Sequence, residues 1–361
     1  MSREHGRADA AVAAARGVVG LYGDPEVSWS IGLEAQVDDV PDVEAARRRL
    51  DSFVAARPWL GASPDFGSVA DTDLAGSRSA LLDDAYADTD PLVRVVVCPS
   101  QAWVMVAGHH GAVDGAGLLA LMATVLDVPL TSGFLGIGDR EAAHGFLGSA
   151  ARRLGEALFA PPTRLAVDAG PGEARESGDH AVSLPLPELR VSTGTAAAAG
   201  AAAVTRWNRE HGRRAGRLVL AIGASRRPGT ALEADRDTAY LRVRVPRGGA
   251  DDEVRAAVAA AAPEPTFPAV RAPGPARMLT RLLAGRLGST LLLSNLGAVS
   301  GTGLDRLTFW PPAAGRPGVA VGLVSVAGRS TTLSLRVRRA DLDEPAARRF
   351  LDLVAASLPD A

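Results

Sequence analysis

The sequence has a single cysteine, no lysine and no long apolar run. Cys98 is the one thiol in 361 residues, so no disulfide can form within the chain and a cluster of thiolates cannot hold a metal. A reducing cytoplasm suits such a chain. All 39 basic residues are arginine, which we attribute to a genome-wide coding bias and to no particular chemistry.

No part of the sequence predicts a membrane span or export. Apolar segments such as LVLAIGA and VAVGLVSVAG fall far short of the roughly 20 residues that a membrane-spanning helix needs. Glu4, Asp9 and Arg16 interrupt the N-terminal segment, which therefore lacks the apolar core of a secretory signal. We expect a cytoplasmic protein with no membrane partner.

Charge and composition also limit the class of protein. The formal net charge is only −2, so the chain has no overall basic field with which to hold nucleic acid, and we expect no nucleic-acid partner. Hydrophobic residues make up 47% and charged residues 22%, which is typical of globular proteins. Because single cores stop growing near 250 to 300 residues, this length favours two domains.

Hydrophobic periodicity predicts a mixed α/β fold in both halves of the chain. In the first half the pattern predicts a strand within 27–39, a helix within 41–60, a hairpin from 91–99 and 101–108, and a helix over 114–128. In the second half it predicts strands within 181–187, 217–225 and 239–246, a helix over 195–212, a helix pair near 250–287, four further strands and a closing helix. Pro, Gly and charged residues weaken the pattern between 131 and 180. We place the boundary there, giving domains 1–165 and 166–361.

The segment AGHHGAVDGAG, residues 107–117, joins a predicted strand to a predicted helix. A histidine at a strand end suits a general base, because its unperturbed pKa lies near neutral pH. Asp114 has the right chemistry to pair with an arginine, and Gly115 permits a close contact that a side chain would block. The alternative is that His109 and His110 are ordinary polar residues and that Asp114 only caps the helix. The composite spacing favours the functional interpretation.

HHGAVDG resembles the His-His-x-x-x-Asp-Gly signature of the condensation-domain and CoA-dependent acyltransferase superfamily, which includes chloramphenicol acetyltransferase. Two later segments agree with this resemblance and come in the right order. AIGASRRPGT, at 221–230, resembles the family's strand that ends in Ser-x-Arg-Pro. LLLSNLGAV, at 291–299, resembles its Ser-Asn-x-Gly strand.

The resemblance implies a fold, a reaction and its partners. The fold is α/β, with two chloramphenicol-acetyltransferase-like lobes that form a V-shaped pseudo-dimer around the site, and we expect a monomer. His110 takes a proton from an amine or hydroxyl that attacks an acyl thioester on a pantetheine arm. The partners are an acyl- or peptidyl-carrier protein, or acyl-CoA, and a small-molecule acceptor. No cofactor is bound permanently, and phosphopantetheine or CoA thioester is a co-substrate.

The same resemblance assigns roles to the remaining motif residues. Asp114 is structural and pairs with Arg227, which directly precedes a proline, although Arg226 is an alternative. His109 supports the loop, and Gly115 completes the signature. No metal is expected.

The third landmark supplies two weaker candidates. Ser294 and Asn295 are positioned by the resemblance to donate toward the oxyanion or the incoming arm. Simple turn chemistry at a strand end is the competing interpretation.

The chain departs from the family in length and in accompanying segments. It is shorter than full-length condensation domains, so we expect shortened loops and a more open cleft. It keeps both histidines, unlike heterocyclisation relatives that carry Asp there, and it has no carrier or adenylation motif. We therefore expect a stand-alone acyltransferase of natural-product biosynthesis. The alternatives are a non-catalytic module that binds a carrier protein or ligand, and a cyclase or dehydratase that reuses the fold and His110.

Overall fold

The computed structural model describes residues 12, 13, 15, 17, 27–87, 89–170, 177–214, 216–227, 230–246, 250–265, 283, 286–313 and 318–359. The strands are β1 (Ser30–Val37), β2 (Asp65–Ser68), β3 (Val93–Cys98), β4 (Trp103–His109), β5 (Thr131–Ser132), β6 (Asp179–Pro187), β7 (Val219–Ser225), β8 (Thr238–Arg244), β9 (Leu291–Ser300), β10 (Leu304–Trp310), β11 (Val319–Val326) and β12 (Ser330–Arg338). The helices are α1 (Val43–Ala55), α2 (Leu74–Asp83), α3 (Gly115–Leu126), α4 (Phe146–Phe159), α5 (Thr193–Glu210), α6 (Asp251–Ala260) and α7 (Glu344–Ala355). The second helix of the pair predicted near 250–287 lies largely outside the described residues.

Within the described residues, the first sheet contains five strands in the order β10-β1-β4-β3-β2. Every residue of β4 is buried, because helices cover both faces of this central strand. Val104 and Val106 point into the core formed with α1 and α3, whereas Met105 and Ala107 pack on the opposite side beneath α2. The predicted β3–β4 hairpin is confirmed, and its strands are antiparallel.

The second sheet runs β6-β12-β11-β9-β7-β8, and β5 adds to β9. Its central strand β9 is parallel to both β7 and β11. Helices α5, α6 and α7 pack with this sheet to form a second core. Trp207 of α5 and Phe350 of α7 meet there edge to face, with ring centroids 5.8 Å apart.

The two halves of the chain exchange strands and loop contacts. β10, from the second half, pairs with β1 of the first sheet, while β5, from the first half, pairs with β9 of the second. The loop 230–237 places Ala234 in the first core, where the Trp59 indole N–H donates to its carbonyl at 2.9 Å. Buried Arg336 of β12 donates to the Ser30 carbonyl of β1 at 2.6 Å. None of the described helices is long and apolar enough to cross a membrane.

Candidate active site

A cavity of about 560 Å³ lies where the end of β4 and the start of α3 meet β7, β8 and β9. Five of the seven residues singled out from the sequence line it: His110, Asp114, Gly115, Ser294 and Asn295. The other two, His109 and Arg227, lie behind this wall. Much of the remaining lining is apolar and includes Phe134, Leu135, Ile137, Ile222, Leu292 and Phe309.

The turn after β4 directs the His110 ring into the cavity. The His109 carbonyl accepts bonds from the N–H groups of Ala112 (2.8 Å) and Val113 (3.1 Å), which closes the turn. The backbone N–H of His110 donates to the Trp29 carbonyl at 2.8 Å. These backbone bonds do not involve the two ring nitrogens of His110.

Among the described residues, each ring nitrogen of His110 has one hydrogen-bond partner. Nδ1 lies 3.3 Å from the Val113 carbonyl oxygen, and Nε2 lies 2.8 Å from the Tyr240 hydroxyl of β8. A carbonyl oxygen only accepts, so the proton is assigned to Nδ1. Nε2 is then the acceptor of the Tyr240 O–H, and its lone pair points at that hydroxyl, which also lines the cavity.

The surroundings of His110 keep its imidazole neutral. Burial, the largest cause, and the positive charge of Arg236 together outweigh the opposing effects and lower the pKa of His110 from 6.5 to about 4. The charge of Asp114 and the bond to the Val113 carbonyl act in the opposite direction. At neutral pH the ring is therefore unprotonated on Nε2, as a general base must be.

Asp114 uses its two oxygens for two different tasks. Oδ1 accepts from the Gly117 N–H at 3.0 Å and caps α3. Oδ2 accepts from Arg227 Nη1 (2.8 Å), the Asp237 N–H (3.0 Å) and the Thr238 hydroxyl (2.8 Å). The carboxylate is 4% exposed. Asp114 therefore both caps α3 and forms an ion pair with Arg227.

Arg227 belongs to the segment that follows β7 and is itself buried. Its Nη2 donates to the Asp235 carbonyl at 3.1 Å and also pairs with the Asp235 carboxylate. Burial disfavours the charged guanidinium, but Asp114 and Asp235 outweigh it and raise the pKa of Arg227. Arg226, the alternative partner, contributes a backbone N–H bond to the Asp237 carbonyl at 2.8 Å.

His109 faces away from the cavity. Its Nδ1 accepts from the Gly111 N–H at 3.0 Å, and its ring meets the edge of Tyr86 with centroids 5.1 Å apart. His109 is buried, whereas His110 is partly open to the cavity. The adjacent histidines therefore have separate environments, one within the first half and one at the site.

Gly115 admits a close contact with β9. A Cβ at this position would lie 2.3 Å from Leu296 Cδ2. Leu296 belongs to an irregularity of β9, where Gly297 adopts a φ of +69°, a left-handed conformation that favours glycine. The His-His-x-x-x-Asp-Gly segment and the Ser-Asn-x-Gly segment therefore touch each other.

Asn295 and Ser294 differ in how their polar atoms are used. The Asn295 amide donates to the Val191 carbonyl at 3.0 Å and accepts from the Gly297 N–H at 2.9 Å, so it holds the β9 turn and the approach to α5. Within the described part of the chain, the Ser294 hydroxyl makes no such bond and faces the cavity. Ser294 is the better placed of the two to meet a ligand.

Comparisons with solved structures identify the fold. The chain is similar to the first condensation domain of the calcium-dependent antibiotic synthetase, with 14% identity, a TM-score of 0.59 and 96% of both chains covered. The chain has the condensation-domain fold. This confirms the predicted mixed α/β architecture with two sheets and the predicted structural resemblance.

Two further structures with the condensation-domain fold show its range. One is a mutant of the starter condensation domain of rhizomide synthetase in complex with C8-CoA and Leu-SNAC, with 14% identity, a TM-score of 0.56 and 96% of this chain and 93% of that chain covered. The other is the EpoB cyclization-docking bidomain from Sorangium cellulosum, with 15% identity, a TM-score of 0.56 and coverage of 96% and 83%. No protein-family model and no curated protein matches the chain.

Sequence reasoning missed the residues that surround His110 from the second half. Tyr240 was visible only as part of a predicted strand, and nothing in its neighbours marks it as a site residue. Thr238 begins the same strand, and Arg236 lies two residues before it. Among the described residues, no group of three or more His, Cys, Asp or Glu side chains is arranged to hold a metal.

Proposed function

We propose that the protein transfers an acyl group from a pantetheine thioester to an amine or hydroxyl of a small acceptor, in natural-product biosynthesis. The observation that carries this proposal is the neutral imidazole of His110, which lines a cavity between the two halves of the chain and has its Nε2 lone pair at the Tyr240 hydroxyl. The rhizomide synthetase domain, which shares the fold, was solved with C8-CoA and Leu-SNAC. We infer the same classes of donor here, carried on CoA or on a carrier protein, as co-substrate.

The residues of the cavity match the demands of this reaction. His110 removes the proton of the attacking nucleophile, a role that typically contributes 10² to 10⁴-fold to a rate. Holding the two substrates in line inside the cavity adds an orientation effect. The Ser294 hydroxyl is placed to donate toward the oxygen that gains charge during attack. The apolar wall formed by Phe134 and its neighbours suits a hydrocarbon chain.

Thiol release tests the proposal directly. The protein is incubated with a panel of acyl-CoA, acyl-N-acetylcysteamine and carrier-bound thioesters and a panel of amines and alcohols, and free thiol and product mass are recorded. We expect transfer that His110→Ala reduces by at least 10²-fold. His144→Ala is the matched control, because this histidine is exposed and outside the cavity. A His110→Ala protein as active as the wild type would refute the assignment of the base.

The EpoB neighbour favours one alternative, since that bidomain is described as a cyclization domain. Product mass separates the two reactions, because transfer adds an acyl unit and cyclisation or dehydration does not. A binding module is a third outcome. It would hold a loaded carrier protein without turnover, and His110→Ala would leave that binding unchanged.

The two-lobe division at 1–165 and 166–361 and the monomeric state are also proposals. Two main hydrophobic cores support the division, because most residues of the first core precede position 166 and nearly all residues of the second follow it. Light scattering during gel filtration measures the oligomeric state, and a dimer mass would contradict the second proposal.

A further inference from the structure

We propose that Gly223 of β7 determines the size of the hydrocarbon group that the cavity accepts. The inference rests on the proposed acyl transfer and adds a specificity-determining residue to it. Gly223 lines the cavity and follows Ile222, whose side chain belongs to the second core. Side chains alternate along a strand, so a side chain at position 223 would point away from that core and toward the cavity.

A glycine in the interior of a strand weakens the sheet. It has no side chain to pack, and it loses more conformational freedom on folding than any other residue. β7 is an interior strand, because it pairs with β8 on one side and with β9 on the other. Gly223 lies within the strand, opposite Tyr240 of β8 and Ser294 of β9. A glycine at this position therefore calls for a reason.

The backbone at position 223 does not require glycine. Among the described residues, Gly223 is not one of the glycines with a positive φ. Its pairing with β8 continues without a shift in register from Val219 opposite Arg244 to Ser225 opposite Thr238, so it does not form a bulge. Other residues can adopt this backbone without strain.

The packing around position 223 does not require glycine either. At Gly115, by contrast, a Cβ would lie 2.3 Å from Leu296 Cδ2, which is too close for any side chain to be accepted without movement. At Gly223 the nearest atom to a Cβ would be Ser294 Oγ at 3.4 Å, an ordinary van der Waals distance. A side chain at position 223 would therefore fit the fold and extend into the cavity.

Close approach of a ligand is the third reason for a glycine within a strand, and it fits the surroundings of Gly223. The cavity wall is largely apolar and includes Phe134, Ile137, Leu292 and Phe309. The group that lies over Gly223 is therefore a hydrocarbon, either the acyl chain of the donor or an apolar substituent of the acceptor. A larger side chain at position 223 should exclude large groups and still admit small ones.

Gly223→Ala and Gly223→Leu test this limit in two series of reactions. In one series, N-acetylcysteamine thioesters from acetyl to decanoyl react with an amine or alcohol that the wild type accepts. In the other, the acetyl thioester reacts with acceptors of increasing size. One methylene in an apolar pocket typically changes kcat/KM by about 10 to 200-fold, so Gly223→Leu should lower kcat/KM at least tenfold for the larger members of one series. That series identifies the substrate that lies over the glycine.

The smallest donor and acceptor should react with Gly223→Leu within threefold of the wild-type rate. Gly155→Leu is the matched control, because a Cβ at this glycine of α4 would meet no atom within 4 Å and Gly155 does not line the cavity. It should leave both series unchanged. Unchanged size dependence of Gly223→Leu in both series overturns the inference, and so does a rate that falls equally for every substrate, the smallest pair included.

Thermal melts distinguish a glycine kept for the substrate from one kept for the fold. Gly223→Ala should melt at the wild-type temperature or above it, because the strand gains a side chain and its unfolded state loses freedom. A melting temperature below that of the wild type would make the glycine structural and overturn the inference.

Calorimetric binding separates this inference from the proposed function. S-alkyl pantetheine thioethers from ethyl to decyl cannot transfer a group, so their binding, and that of the same acceptors, can be measured without turnover. Affinity should rise with the size of the alkyl or acceptor group in the wild type and stop rising at a smaller size in Gly223→Leu. If the wild type turns over no thioester, acyl transfer fails as the function. Binding then decides the role of Gly223 alone, and equal size dependence in the wild type and the variant for both sets of ligands overturns it.

Discussion

Replacing Asp114 tests whether one carboxylate both caps a helix and joins the two halves of the chain. Asp114 and Arg227 are 4% and 5% exposed, so their ion pair is buried. Removing one member of a buried pair typically costs about 3 to 5 kcal/mol when the other charge is left poorly compensated, and Arg227 would keep only the half-exposed Asp235 carboxylate. Losing a helix N-cap costs about 0.5 to 2 kcal/mol. For Asp114→Ala we therefore expect a loss of about 4 to 6 kcal/mol in the free energy of unfolding.

Three companion variants divide this loss into its parts. Asp114→Asn keeps an oxygen for the Gly117 N–H and loses the charge, so we expect a cost of about 3 to 5 kcal/mol. Asp343→Ala is the matched control, because Asp343 caps α7 through the Ala346 N–H at 2.7 Å and has no buried arginine partner among the residues that the structure describes. Its cost should be about 1 kcal/mol. Arg227→Met removes the other half of the pair.

Chemical denaturation followed by tryptophan fluorescence measures these values, and five tryptophans supply the signal. If Asp114 and Arg227 are coupled, Arg227→Met should lower the free energy of unfolding by several kcal/mol in the wild type and by far less in the Asp114→Asn protein. Equal costs in both backgrounds would refute the coupling. So would an Asp114→Ala protein no less stable than Asp343→Ala.

Four further predictions concern the cavity. Because the pKa of His110 is held near 4, kcat/KM should stay constant as pH falls through 6.5 and should decline only near 4. Arg236→Gln removes a positive charge that lowers this pKa, so it should move the decline to higher pH. A wild-type decline centred at pH 6.5 would contradict the assignment of the base. The unfolded ring binds its proton near pH 6.5, so stability should also fall as pH drops from 6.5 toward 4, and His110→Gln should lose that slope in pH-dependent denaturation. Gly115→Ala should lower the free energy of unfolding by about 1 to 3 kcal/mol, because the new Cβ meets Leu296, and adding Leu296→Ala should restore part of that loss in thermal melts. A Gly115→Ala protein of unchanged stability would show that the leucine side chain can rotate away from the contact. Asn295→Ala breaks two hydrogen bonds of the β9 turn, so it should lower the free energy of unfolding by about 1 to 3 kcal/mol and slow thiol release. A variant of unchanged stability would show that these bonds are dispensable.

The hydrophobic periodicity of the sequence predicts most helices and strands, but it does not show which strands pair with each other. Alternation in the hairpin and the helical spacing after it correctly predicted β3, β4 and α3, because one face of each must be buried. The Gly/Ser/Asp-rich stretch after residue 60 gave no sign of β2, a four-residue edge strand that depends on β3 for its pairing. β10 was predicted as a strand, yet its place beside β1 follows from long-range register, in which Gly32 is opposite Trp310.

The candidate site divides in the same way. The motif drew attention to His110 and Asp114 because their chemistry and spacing are unusual together. Tyr240 and Arg236 are more than 120 residues away along the chain and carry no local signal. Their closeness to His110 depends on how β8 is aligned within the second sheet, which a single sequence does not reveal.

The structure gives a physical reason for the spacing of the motif. His110 meets Tyr240 on β8, Asp114 meets Arg227 just beyond β7, and Gly115 meets Leu296 on β9. These three strands are neighbours in the order β9-β7-β8, so one turn of the first half contacts three adjacent strands of the second. A shift of the turn that breaks the ion pair therefore also moves the base away from the phenol and the glycine away from β9. It follows that changes at Asp114 should alter the rate as well as the stability, in the order Asp114→Ala, then Asp114→Asn, then wild type, even though the carboxylate takes no part in the chemistry.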